Sequence, residues 1–190
     1  MKYNPDIHHR HSIRLKNFDY SSEGAYFITI CMENRQCILA SIRRGDPCGR
    51  PEIELTELGE LCVNVFNDIE IKYNVFISKY VIMPNHIHFI LVISNEDISI
   101  MSDKNELIIS NEDKRATARV APTVGSIIGG YKSLIANSWL KKCKKNNIFM
   151  GKLWQRNYYE HIIRDERDYN IKWDYINNNP LNWNNDEYYK

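Results

Sequence analysis

Two histidines one residue apart, His86 and His88, follow Met83-Pro84-Asn85 and lead into the apolar run Phe89 to Ile93. Side chains alternate faces along a strand, so positions i and i+2 point the same way. On a strand, both imidazoles therefore stand side by side. Neutral imidazole is the commonest metal ligand in proteins, which makes the pair half of a candidate metal site. The bland alternative is two ordinary histidines on a sheet.

A second group lies near the C-terminus. Asp165 starts a last helix and Pro180 ends it, because proline disfavours helix at the residue before it. Within it Tyr169, Trp173 and Ile176, spaced four and three apart, make a buried stripe. Tyr175 lies far round from that stripe. Asn179 shares the face of Tyr175, and Lys172 lies near it. Packed beside the histidine strand, this face adds a phenol, an amide oxygen and an ammonium to two imidazoles. Phosphodiester transesterification uses such a set. A divalent metal polarises a phosphoryl oxygen, and histidine with amide oxygen suits Mg²⁺ or Mn²⁺ with water completing the shell. A tyrosine hydroxyl can attack phosphorus and form a covalent phosphotyrosine. Lysine can hold the phosphate or stabilise the phenolate. Taken singly, Tyr175 reads as a packing tyrosine, Asn179 as a helix stop and His161 as structural.

The elements that must position these residues follow from periodicity and turn chemistry. Residues 25–32 read as a strand, rich in β-branched and aromatic residues. Asn34-Arg35 make a turn, and residues 36–42 pair back as a second strand. Two glycines and two prolines within 43–51 mark a loop. Thr56 caps a helix to about Lys72, with Leu58, Leu61, Val65 and Ile69 on its inner face. Residues 75–82 and 86–93 form the next strands, around Pro84-Asn85. Thr123 caps a further helix, whose Gly129-Gly130 pair implies close packing or an adjustable segment. Residues 158–163 make a short fifth strand. The order β, β, α, β, β, α, β, α gives an α+β class with an antiparallel sheet and helices on it.

With 190 residues and 43% hydrophobic content, one soluble globular domain is expected. A polar arm (1–24) precedes it, and a long mobile loop (94–121) interrupts it. Net charge is +1, which excludes a polycation, so any nucleic-acid surface must be a local patch. Five cysteines without C-x-x-C argue against a disulfide framework or a thiolate zinc site and fit a reducing cytoplasm. No run approaches the roughly 18 apolar residues of a membrane span. The arm, with Arg14 and Lys16, is either solvated or a phosphate contact. Lys141 to Lys145 read as a solvated helix end, or, with Trp139, Trp154 and Arg156, as a groove where single-stranded bases stack on aromatics.

Several stretches together resemble the REP-associated tyrosine transposases, in the single-tyrosine transposase group of the HUH endonuclease superfamily. They are His11 to Lys16, Gly24 to Ile30, Leu55 to Gly59, and Tyr80-Val-Ile-Met-Pro-Asn-His-Ile-His88. Further on come Gly125 to Gly129 with Lys132-Ser133, Trp154 to Arg164, and Asp174-Tyr-Ile-Asn-Asn-Asn-Pro180. The resemblance implies a ferredoxin-like antiparallel sheet of four to five strands with helices packed on it. It implies His86, His88 and Asn179 as metal ligands and Tyr175 as nucleophile. The activity implied is cleavage and rejoining of single-stranded DNA, often at hairpins from palindromic repeats, through a 5′-phosphotyrosine. Candidate DNA contacts are Arg14, Lys132, Lys141, Lys142, Arg156 and Lys172. Simpler members of the group are dimers that exchange tyrosines, whereas REP-associated ones look monomer-like, and a nucleoid-associated cytoplasmic location follows. The alternatives are a nucleic-acid-binding protein without catalysis and a metallohydrolase of small phosphoesters.

Overall fold

A computed structural model describes residues 22–43, 49, 51–94 and 122–189. Residues 1–21 of the arm, with Arg14, lie outside the described residues, as do Cys48 and residues 95–121 of the long loop.

In chain order the elements are β1 (Gly24–Cys31), β2 (Ala40–Arg43), β3 (Glu52–Leu55), α1 (Glu57–Tyr73), β4 (Val75–Ile82), β5 (His86–Ile93), α2 (Val124–Lys145), β6 (Tyr159–Ile163) and α3 (Glu166–Asn178). The main sheet has four strands in the order β4-β5-β1-β6, and every neighbour is antiparallel. The class is α+β, as the element order implied.

The expected hairpin between residues 25–32 and 36–42 does not form. Both edges of β1 are taken, one by β5 and the other by β6. A 3₁₀ turn at Glu33–Arg35, with Asn34 and Arg35 at left-handed φ of 54° and 52°, leads the chain off the sheet. β2 pairs instead with β3 in a separate two-stranded sheet.

Strand alternation divides the sheet into two buried faces. Tyr26, Ile28 and Ile30 of β1 and Ile87, Phe89 and Leu91 of β5 pack with Leu58, Phe66 and Ile69 of α1 and Tyr131 of α2. Phe27, Val81, Met83 and Ile90 face the other way and pack with Tyr169, Trp173 and Ile176 of α3. The α3 stripe is therefore as the spacing required. β5 is enclosed on both faces, which explains its nearly unbroken apolar run. His86 and His88 continue the α3-facing row of Ile90.

The helix starts agree with their caps. Thr56 Oγ1 accepts from Gly59 N at 3.2 Å, Thr123 Oγ1 from Ser126 N at 3.2 Å, and an Asp165 carboxylate oxygen from Asp168 N at 2.8 Å. Gly59 is a close-approach position, because a Cβ there would collide with the Leu39 carbonyl oxygen. Of the glycine pair, Gly130 faces the Tyr73 hydroxyl at close range and Gly129 faces open space. α3 ends at Asn178, just ahead of Pro180 as expected, but the coil does not stop there. Asn179 stays helical (φ −57°, ψ −41°), and a 3₁₀ segment, Asn179–Asn185, runs on with proline in its first turn. Proline is tolerated there because that N–H has no helical partner to lose. Among the described residues no helix is long and apolar enough to cross a membrane, and Cys31, Cys37, Cys62 and Cys143 are free thiols.

Candidate metal centre and active site

His86 and His88 sit at the start of β5, with ring centroids 4.5 Å apart and 0% and 1% exposed. Each imidazole is oriented through its Nδ1. The Asn85 Nδ2 amide donates to two carbonyls, Arg35 O at 3.3 Å and Tyr188 O at 2.8 Å. Its Oδ1 is therefore the acceptor facing His86 Nδ1 at 2.8 Å. His86 consequently carries its proton on Nδ1 and presents a bare Nε2. His88 Nδ1 lies 2.8 Å from Thr29 Oγ1 on the paired residue of β1. A partner fixing the outer nitrogen is the usual arrangement behind a ligating imidazole.

The inward atoms are left over. Among the described residues, His86 Nε2, His88 Nε2 and Asn179 Oδ1 are buried with no hydrogen-bond partner. Buried acceptors without partners are unfavourable by roughly 1–3 kcal/mol each, so three of them converging mark a place shaped for something that accepts lone pairs. Burial pushes the His86 pKa down to about 3, with the Asn179 amide opposing and the Arg35 guanidinium adding to the effect. His88 is held well below its ordinary value by burial, then by His86 and Lys172. Both imidazoles are neutral near pH 7, which is the ligating form.

Asp186 completes the cluster. One of its oxygens lies 4.0 Å from His86 Nε2, and its side chain is 3% exposed. The same oxygen accepts from Asn179 Nδ2 at 3.0 Å, and its other oxygen accepts from Tyr188 N at 2.7 Å. His86, His88 and Asp186 form a group that could hold a metal ion, with ligand atoms all within 4.8 Å of one another. Sequence reasoning missed Asp186, because the asparagine-rich end of the chain reads as helix end plus loop. The 3₁₀ turn that brings this end back over β5 has no periodic signature.

Tyr175 meets the centre from α3. Its ring packs edge-on against His88 at 5.2 Å and against Phe27 at 5.7 Å. It is 40% exposed and lines an open cleft of about 600 Å³ with Asn179, Asn182, Asp186 and Glu187. Burial raises its pKa to about 12, with the Asp186 and Glu187 carboxylates adding and a hydrogen bond with Asn179 opposing. Phenol and imidazoles thus meet within one chain. Lys172 Nζ lies 5.2 Å from the centre of the Phe27 ring, on the same side of the sheet. The Tyr188 ring covers both imidazoles, at 4.6 Å from His86 and 5.9 Å from His88, with the Arg35 guanidinium over it at 5.4 Å.

The remaining candidates lie elsewhere. Lys132 donates to Gln155 O at 3.0 Å and Asn157 O at 2.9 Å, and Trp154 Nε1 donates back to Lys132 O at 3.2 Å. Its ammonium is committed to backbone carbonyls, and burial lowers its pKa to about 8. Lys141 and Arg156 are exposed, and Lys142 pairs with Glu57. His161, which has no evident partner in the sequence, bonds Asp168 Oδ2 through Nε2 at 2.8 Å.

No family model matches the chain. An uncharacterized protein of Haemophilus influenzae is 39% identical over 189 residues, covering 99% of this chain and 97% of its own length. Among solved structures, a REP-associated tyrosine transposase bound to a REP hairpin shares the fold. Its TM-score is 0.51 at 17% identity, over 89% of this chain and 73% of that one.

Proposed function

We propose that this chain, which belongs to one family with the Haemophilus influenzae protein, is a metal-dependent transesterase that cleaves and rejoins single-stranded DNA through a phosphotyrosine. One observation carries the reading. Three buried acceptors without a hydrogen-bond partner among the described residues, His86 Nε2, His88 Nε2 and Asn179 Oδ1, lie beside a phenol that is open to a cleft.

The donor set fits a divalent cation. Two neutral imidazoles, an amide oxygen and the Asp186 carboxylate suit Mn²⁺ or Mg²⁺ better than a soft metal. His86, His88, Asn179 and Asp186 would hold it, and when bound it would supply Lewis-acid polarisation of a phosphoryl oxygen.

The chain's own groups do the rest. Tyr175 Oη attacks phosphorus, the P–O3′ bond breaks, and the 3′ oxygen leaves as a hydroxyl after gaining a proton. The 5′ phosphate stays on Tyr175. Rejoining is the reverse, with a 3′-hydroxyl attacking the phosphotyrosine and returning the phenol. With a pKa near 12 in the free protein, Tyr175 is protonated at neutral pH and gives up its proton as the bond forms. Lys172 supplies positive charge for the non-bridging oxygens. Lys141, Lys142, Arg156 and Arg14 supply charge for the flanking DNA, and Lys132 shapes the turn at residues 155–157. A hairpin from a palindromic repeat is the substrate form in this reading, and the solved transposase of the same fold is bound to a REP hairpin.

The test is incubation with a hairpin-bearing single-stranded oligonucleotide and Mn²⁺, followed by a denaturing gel. A covalent protein–DNA species is expected, absent with chelator and absent in Tyr175→Phe. A protein that binds hairpins without ever forming the adduct is a binding module instead.

A further inference from the structure

A second cleft, of about 500 Å³, opens at the C-terminal end of α2. Trp139 and Lys142 of the helix line it, with Ile148 and Phe149 of the following turn and Glu33 and Lys152 at its rim. Phe149 is 92% exposed and Ile148 59%. Lys142 Nζ lies 5.6 Å from the centre of the Trp139 ring. The two lining acids are already matched, Glu57 by Lys142 and Glu33 by Lys152. Lys141, Lys144 and Lys145 are exposed on the same helix end and make no ion pair among the described residues. The charges that line the cleft therefore balance, and the unpaired cations stand just outside it on the last turns of α2, in a chain whose net charge is only +1.

Cations in a last turn complement the helix dipole. That accounts for the lysines but not for a phenyl ring standing in water in a cleft that an indole also lines. Aromatic faces next to unpaired ammonium groups form the pattern that holds an unpaired nucleotide, with its base stacked and its phosphate on the lysines. A cleft of this size admits a base and its sugar.

We propose that this cleft is a subsite for an unpaired nucleotide of single-stranded DNA, with the base on Phe149 and Trp139 and the backbone phosphates on Lys144 and Lys145. The proposal rests on the DNA transesterase reading and extends it to a part of the substrate remote from the cut. The two places are joined by the turn at Glu33–Arg35. Glu33 and Asn34 line this cleft, while Arg35 Nη1 donates to Glu187 O at 2.9 Å beside Asp186.

The test is fluorescence anisotropy with an unstructured oligo-dT and with its abasic counterpart, in chelator so that no cutting intervenes. Base stacking predicts that Phe149→Ala raises the Kd for oligo-dT about tenfold. Phe149→Tyr should stay within about twofold, since it keeps the ring. On the abasic strand Phe149→Ala and wild type should bind alike. Equal binding of oligo-dT by wild type and Phe149→Ala, or no binding by either, overturns the subsite. A covalent-adduct assay on the same proteins separates the two ideas. Adduct formation with unchanged Phe149→Ala binding removes only the subsite, whereas a tenfold binding loss without any adduct removes only the transesterase.

Discussion

The Tyr175 ring stands edge-on to the His88 imidazole, 5.2 Å between centroids and 73° between planes. α3 and β5 supply one residue each. Their packing through Ile176 and Ile90 sets the separation. The phenol reaches the imidazoles from its own chain, so on the proposed reading cleavage would need no second copy to deliver it. On that reading, Tyr175→Phe should therefore form no covalent DNA species, and mixing it with His86→Ala, which keeps the phenol but lacks a ligand, should not restore one on a denaturing gel. Its hydroxyl faces a cleft, so stability should change by less than about 0.5 kcal/mol, checked by denaturant melts.

Removing Asp186's charge should weaken metal binding without emptying the site. Asp186→Asn keeps one oxygen, which can accept from Asn179 Nδ2 or from Tyr188 N but not from both, while Asn85 and Arg35 still donate to the Tyr188 and Glu187 carbonyls and hold the tail. Mn²⁺ affinity measured by calorimetry should fall about 10- to 100-fold. In wild type, Mn²⁺ at a hundred times its Kd should add about 2.7 kcal/mol of stability. His86→Ala should show no such increment.

Stability of the metal-free protein should fall as the medium becomes acidic. The His86 pKa is lowered from 6.5 to about 3 by burial, so between those values the unfolded chain binds a proton that the folded one refuses. Stability is thus fully present above pH 6.5 and declines toward pH 3, by at most about 1.4 kcal/mol per pH unit for this group. His88, shifted in the same direction, steepens the fall. Urea midpoints in chelator at pH 7 and pH 5 read the slope, and His86→Asn should flatten it. An unchanged midpoint in wild type would contradict buried neutral imidazoles.

Two glycine substitutions on different helices should have opposite signs. Gly129 faces open space on α2, so Gly129→Ala should stabilise by about 1 kcal/mol through helix propensity alone. Gly59→Ala drives a methyl into the Leu39 carbonyl oxygen, which also accepts from Thr56 N at 2.9 Å. Backbone has to move there, and a loss of about 1–3 kcal/mol is expected from thermal melts.

The parts of this molecule that repeat with a period were legible from residues alone. Both helix faces of α3, the caps at Thr56, Thr123 and Asp165, and the paired imidazoles on β5 all follow from spacing. What spacing does not encode is which edge a strand takes. Residues 36–42 read as the partner of β1, yet β6, nearly 120 residues later, occupies that edge, and Ala40–Arg43 pairs with β3. Asp186 was illegible for a related reason. It reaches His86 because Asn179 keeps a helical φ before Pro180 and the chain coils on, against the usual bias of that position. Lys132 reads as a cation for phosphate, but two carbonyls accept from it, and carbonyl positions have no signal in a side-chain pattern.

β5 is enclosed by helices on one side and by α3 on the other, and the imidazoles belong to that strand. Their geometry is therefore a readout of how tightly the whole interior interlocks. A shaved side chain at Phe66 or Trp173, neither of them a ligand, should slacken the grip on a cation well before the polypeptide melts. Loss of metal affinity would then be an early symptom of a loosening core, and thermal tolerance and catalytic competence would rise and fall together.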